Sequence, residues 1–300
     1  MRLERKTMVR GIIALAFVTA TPVGAQVNYD TVRVRTVPVS GNVYMLQGVG
    51  GNIGLAVGDD AVFVVDDQYA PLTRKILDAI AAVTPGPVRF VLNTHWHFDH
   101  VGGNENLGEA GALIIAHENV RKRMSVDGFV EALNARVPAS PRKALPVVTF
   151  TDAVTFYING DSVSATHVPP AHTDGDAVIH FRKANVIHMG DTFHNAGLPF
   201  ADLSSGGSIQ GIIGVADRVL AMSNDATKII PGHGPLADRA RLKVYRDMVV
   251  ALRDRIRAEI TAGKSLEQIL AAKLTAPYEK EFPGSHERFV RLTFQELSRR

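Results

Sequence analysis

A chain of 300 residues, 46% of them hydrophobic, is long enough to bury a large core, and no linker-like or low-complexity stretch interrupts it. It contains no cysteine, which excludes disulfides and any thiolate nucleophile, and leaves a bound metal only nitrogen and oxygen ligands. The formal charge of +3 comes from the first residues, so no basic surface argues for nucleic acid or an anionic membrane as partner.

Residues Met1 to Ala25 have a basic opening (Arg2, Arg5, Lys6, Arg10), an apolar core from Gly11 to Ala20 and the small-residue ending Val23-Gly24-Ala25. This pattern is that of a secretory signal peptide cleaved before Gln26. The core is shorter than the about 20 apolar residues that a membrane anchor needs. Cleavage removes four of 33 basic and one of 30 acidic residues, leaving 29 of each, a formally neutral mature chain. The expected location is the periplasm or outside the cell, with no membrane association after cleavage. Residues 26 to 300 are expected to form one domain.

The first elements are strands: Val43–Gln47, Gly54–Val57 and, after the turn Gly58-Asp59-Asp60, Ala61–Val65. A helix is predicted from about Pro71 to Val83, with Leu72, Ile76, Ile80 and Val83 on one face, before a buried strand at Val88–Leu92. The second half repeats this grammar, with strands at Thr155–Tyr157, Val163–Val168, Ala177–Phe181 and Val186–Met189. A helix at Gln210–Leu220 and a strand at Lys228–Ile230 follow. Strands interleaved with helices in two similar halves predict two packed sheets with helices outside. From about 236 the chain ends in helices, one with Leu242, Tyr245, Met248, Val249, Leu252, Ile256 and Ile260 at helical spacing and a last one over His286–Leu297. That apolar stripe is read as core or a homodimer contact rather than a substrate surface.

The chemistry starts where Val88–Leu92 ends. The segment Thr94-His95-Trp96-His97-Phe98-Asp99-His100 crowds three imidazoles and a carboxylate into six residues. Imidazole with carboxylate suits zinc and other borderline metals, and a loop can turn alternate side chains to different sides of one point. His95 and His97 can then hold one ion while Asp99 and His100 reach a second.

Three further candidates stand just past strand ends. His172 opens His172-Thr173-Asp174-Gly175-Asp176, Asp191 lies in Met189-Gly190-Asp191-Thr192, and His233 lies in Pro231-Gly232-His233-Gly234-Pro235. Strand-end residues of stacked sheets can converge on one edge, and four such loops make a binuclear site. Alone, each would be read as a turn or cap residue, as His117, His167, His194 and His286 mostly are, while His180 and His188 fall within strands and are read as structural histidines.

Together these residues carry a resemblance to the metallo-β-lactamase superfamily, running from about Val43 to Asp238. It implies an α/β (α+β) fold, a four-layer αββα sandwich of two mixed β-sheets, with two zinc ions at one edge. By the same resemblance His95, His97 and His172 hold the first ion, Asp99, His100 and His233 the second, and Asp191 bridges them. Asp66, in Val64-Val65-Asp66-Asp67, looks like the buried carboxylate that braces the histidine loop, although it also reads as a strand-end turn former. The spacings of 19 and 42 residues between His172, Asp191 and His233 are similar to those of true β-lactamases that use a cysteine in the second site. The bridging aspartate is similar instead to glyoxalase II.

Two zinc ions sharing a water would supply hydroxide near neutral pH, with Asp99 orienting or deprotonating it. The expected function is an exported zinc hydrolase that opens an amide, lactam or related acyl bond of a small molecule, with a glyoxalase II-like thioesterase or a lactone or ester hydrolase as the alternative. A redox or metal-carrier protein is disfavoured by His97, which di-iron relatives replace with glutamate, and by the lack of flavin-binding sequence. For substrate contact the candidates are His194, three residues after Asp191, then Asn195, and the segment Asp202–Ser208 with Ser205. That segment also reads as a flexible loop with a cap for the helix after it.

Overall fold

The structure, a computed structural model, describes residues 27–299, so the expected leader at Met1–Ala25 lies outside the described residues. The chain runs β1(Arg35–Ser40), β2(Val43–Gln47), β3(Ile53–Ala56), β4(Val62–Val65), α1(Thr73–Ala81), β5(Val88–Leu92), α2(Phe98–Val101), α3(Asn104–Glu109), β6(Leu113–His117) and α4(Glu118–Met124). It continues through β7(Gly128–Val130), β8(Ala135–Val137), β9(Val148–Phe150), β10(Ala153–Ile158), β11(Asp161–His167), β12(Ala177–Phe181) and β13(Val186–His188). It closes with α5(Ile209–Met222), β14(Lys228–Ile230), β15(Ala237–Asp238), α6(Arg239–Thr261), α7(Leu266–Ala271) and α8(His286–Ser298).

Two mixed sheets result, in the spatial orders β1-β2-β3-β4-β5-β6-β9 and β10-β11-β12-β13-β14-β15, with β7 and β8 as a separate ribbon. Alternation along β4 shows how the layers form. Phe63 and Val65 turn into the space between the sheets, where they meet Val163, Ile179 and Phe181. Val62 and Val64 turn the other way, onto Ile76 and Ile80 of α1. The outer face of the second sheet, with Val178, Ile187 and Ile229, is covered by α5, α6 and α8. The order helix, sheet, sheet, helix is the four-layer αββα sandwich that the sequence implies. The α6 stripe of Leu242, Tyr245, Met248, Val249, Leu252 and Ile256 is buried in that outer core.

The direction of the strands positions the site. β4, β5 and β6 run parallel to one another, as do β13 and β14. β11 lies antiparallel to β12, which lies antiparallel to β13, so β11 shares their direction. The loops leaving β5, β11, β13 and β14 carry the histidine cluster, His172, Asp191 and His233. Bonds between the halves hold these loops together: the Asn52 backbone N–H donates to Gly232 O at 2.7 Å and its Nδ2 to Pro231 O at 2.9 Å. Ala177 N donates to Thr94 O at 2.9 Å.

One local expectation differs. The signature, read as a loop, becomes helical at α2, which carries Asp99 and His100. Among the described residues no helix is long and apolar enough to cross a membrane.

Candidate metal centre

The signature divides its side chains between two environments. Trp96 is 3% exposed and packs with Val101, Ala116, Val120 and Met124, anchoring the segment, while His95 and His97 on either side of it point into the edge of the sandwich. Two glycines let the backbone come close. A Cβ on Gly51 would fall 2.1 Å from His100 Cε1, and one on Gly232 would fall 2.0 Å from Asp191 Oδ1.

The seven candidate ligands converge. Ligand atoms of His95, His97 and His172 lie within 4.8 Å of one another, as do those of His95, His100 and Asp191, and those of Asp99, His100 and His233. His172 Nε2 is 2.8 Å from His97 Nδ1, and His100 Nε2 is 3.3 Å from His233 Nε2. Asp191 spans the groups: Oδ1 is 3.1 Å from His100 Nε2 and 3.4 Å from His233 Nε2, while Oδ2 is 3.5 Å from His172 Nε2. Asp99 Oδ2 reaches His233 Nε2 at 3.2 Å.

What the outward nitrogens do decides whether this set fits a metal. His97 Nε2 is held by Asp202 Oδ2 at 3.1 Å, His100 Nδ1 by Asp66 Oδ2 at 2.7 Å, and His172 Nδ1 by the Phe200 carbonyl at 2.5 Å. His95 Nδ1 lies 3.0 Å from Thr94 Oγ1, which itself donates to Asp66 Oδ2 at 2.7 Å. Each ring can therefore donate outward and keep a lone pair facing inward, the tautomer a metal ligand requires. The inward nitrogen of buried His95, Nε2, has no hydrogen-bond partner among the described residues. Such orphaned polar atoms are costly unless something completes them. The residues fit a pair of divalent metal ions held by nitrogen and oxygen.

Electrostatics divide the cluster. Burial keeps His95 well below the usual imidazole range and takes His172 down to about 4, so both are neutral and ready to ligate. Burial also opposes charge on His100 and His233, but there the carboxylates win. Asp191 and Asp99 raise both rings, His233 to about 9. Burial would raise Asp99 as well, yet His100 and His233 hold it down at about 2.

Asp66 lies at the end of β4 in a left-handed conformation, φ 63°, uncommon for a residue with a Cβ. Its Oδ1 also accepts from Thr94 N at 2.7 Å, so one buried carboxylate fixes both ends of the signature.

Of the substrate-contact candidates, only His194 faces the site. Its ring stacks on His233 with centroids 5.0 Å apart. Asn195 is 7% exposed and committed inward, Nδ2 donating to Pro235 O at 2.8 Å and Oδ1 accepting from Arg241 Nε at 2.6 Å. Ser205 is 1% exposed, and its backbone N–H donates to Asp202 Oδ1 at 3.2 Å. Both residues are buried within their loops. Ser208 caps α5 by accepting from Gly211 N at 3.0 Å.

Asp202, named above only within a candidate substrate loop, and Phe200, not singled out by the sequence, both contact His97. Asp202 holds His97, and the Phe200 ring stacks on it with centroids 6.1 Å apart. Nothing in their local sequence marks either role.

The sequence profile of the metallo-beta-lactamase superfamily matches residues 46–233. The chain is 30% identical over 150 residues to a hydroxyacylglutathione hydrolase of Gloeobacter violaceus, covering 47% of this chain and 52% of that protein. The sec-alkylsulfatase Pisa1 of Pseudomonas sp. superimposes with a TM-score of 0.64 at 18% identity, covering 87% of this chain and 50% of the other. The chain thus spans about half the length of each of these two proteins. A metallo-beta-lactamase of Pontibacter korlensis superimposes with a TM-score of 0.59 at 18% identity, covering 72% of this chain and 99% of the other. With the profile matched over more than half of its length and this donor set at the sandwich edge, the chain belongs to the metallo-beta-lactamase superfamily and is a metal-dependent hydrolase.

Proposed function

We propose that this protein is an exported two-zinc hydrolase that opens a lactam or related acyl bond in a small molecule. The observation that carries the reading is the Asp191 carboxylate, whose two oxygens are divided between the His172 side and the His100–His233 side of the cluster. A carboxylate so divided suits two ions, not one. When bound, two zinc ions lower the pKa of a water towards neutrality and polarise a carbonyl.

The chain's own residues do the rest. Asp99 is ionised and partly open, with its side chain 18% exposed, so it can accept a proton from an attacking water and aim it. Asp66, Asp202 and the Phe200 carbonyl fix the ligand rings, so the site needs little rearrangement during the reaction. Export is supported by the basic, apolar and small-residue pattern of Met1–Ala25.

The second reading, a thioesterase, is favoured by an aspartate, Asp191, that would span the two ions and by the likeness to the hydroxyacylglutathione hydrolase. One assay separates the two: zinc-loaded protein lacking residues 1–25, tested on a penicillin, a cephalosporin, a carbapenem, lactoyl-glutathione and an acyl-homoserine lactone. Preferred turnover of a lactam supports the first reading, and preferred turnover of the thioester replaces it with the second.

A further inference from the structure

A groove of about 500 Å³ leads away from the metal centre at His233. Its walls come from the segment before and within β1, from the loop after β2, and from the His194 and His233 loops. Among the described residues no acidic side chain lines it, whereas Arg33 and Arg35 both do. Arg33 and Arg35 are therefore the charged side chains of the lining outside the histidine loops.

Arg35 is not a freely swinging surface side chain. It pairs across the ladder with Gln47, and its Nη2 donates to Gln47 Oε1. Gln47 in turn donates from Nε2 to the Gly234 carbonyl at 2.9 Å, one residue past His233. The guanidinium is thereby tied to the loop that carries a metal-cluster histidine. Arg33, two residues earlier on the same side of an extended segment, makes no ion pair or side-chain hydrogen bond among the described residues. Two arginines lining the same groove as a metal-cluster histidine are arranged for a ligand with one anionic end.

We propose that Arg33 and Arg35 form a carboxylate-binding subsite, so that the preferred substrate is an acyl compound bearing a free carboxylate on the side of the scissile bond that faces β1. This deepens the hydrolase reading above and rests on it. Neutral lactones and esters would reach the metal centre without this anchor and be turned over less efficiently. A planar carboxylate matches the guanidinium fork, which a lysine at either position would not reproduce.

The test compares 4-nitrophenyl hemiglutarate with its methyl ester on the zinc-loaded protein and on Arg33→Ala, Arg35→Ala, Arg35→Lys and the double alanine variant. Each alanine change is expected to lower the acid-over-ester ratio of kcat/KM about tenfold, mainly through KM for the acid, and the double change about a hundredfold. Arg35→Lys should restore only part of the ratio. Arg33→Ala guards against a purely structural effect, since among the described residues that side chain makes no ion pair or side-chain hydrogen bond. An unchanged ratio in the double variant overturns the subsite.

Calorimetric binding of the non-hydrolysable 5-(4-nitrophenoxy)pentanoate separates the subsite from the reaction. Weaker binding by the double variant supports the subsite, even if no ester is turned over, in which case the hydrolase reading alone falls. Equal binding by wild type and double variant overturns the subsite and leaves hydrolysis standing.

Discussion

Asp66 Oδ2 and His100 Nδ1 are 2.7 Å apart with both side chains fully shielded from solvent, and the same carboxylate receives the Thr94 backbone N–H and hydroxyl. One acidic side chain therefore sets the orientation of His100 directly and of His95 through Thr94. Removing it strands three buried donors at once. Asp66→Ala is expected to lower metal affinity by about 10–100-fold and stability by about 3–5 kcal/mol. Chelator competition and denaturant unfolding measure the two effects; a variant with wild-type metal affinity would show that the ligand rings need no such brace.

Gly232→Ala tests the approach of the His233 loop to the Asp191 carboxylate. The added Cβ would lie 2.0 Å from Asp191 Oδ1 and 2.6 Å from the Gly190 carbonyl carbon, so Asp191 or the backbone must move. Metal content by mass spectrometry is expected to fall from two ions per chain to one or fewer. Two tightly held ions in the variant would contradict Asp191 as the bridge.

Metal uptake is expected to depend on pH through His100 and His233. In the metal-free protein both are raised above 6.5, His233 to about 9, because nearby carboxylates overcome burial. The stabilisation from these charged rings is complete below about pH 6.5 and is lost as pH rises through their raised pKa values, about 9 for His233. A metal must displace the same protons, so affinity should rise with pH, about tenfold per unit for each proton displaced, and the His233 contribution should level off near pH 9. Competition with a chelator at pH 6, 7 and 8 gives the slope, and a flat profile would mean that neither ring ligates.

Asp99→Asn keeps the shape of the side chain but removes the charge that accepts a proton. Turnover is expected to fall by about 100–10,000-fold while the fold survives, as read by rate and thermal unfolding. A variant with wild-type turnover would remove Asp99 from the chemistry.

How much of this the sequence carried depends on the range of the physics involved. The placement of His172, Asp191 and His233 just past β11, β13 and β14 was legible because strand ends are local, and their convergence follows from strand direction. The helical turn at α2 was not, since a His- and Asp-rich tetrapeptide has no helical period; its geometry comes from Asp66 and from the Trp96 anchor. β1, β6 and β9 also escaped. β6, Leu113–His117, is a short apolar run that periodicity cannot tell from a buried helix, and β9 has only three residues. The inward turn of Asn195 and Ser205 depends on Arg241, Pro235 and Asp202, partners that only the folded chain brings near. Arg33 and Arg35 look like ordinary surface charges until β1 pairs with β2 beside the His233 loop.

The central claim is that two metal ions held by the His95–His100 cluster, His172, Asp191 and His233 make this protein a hydrolase. The most direct measurement strips the purified protein with a chelator and follows turnover of its best acyl substrate as zinc is added back in counted equivalents. The account predicts no turnover in the stripped protein and full recovery at two equivalents per chain; undiminished turnover without metal would contradict it.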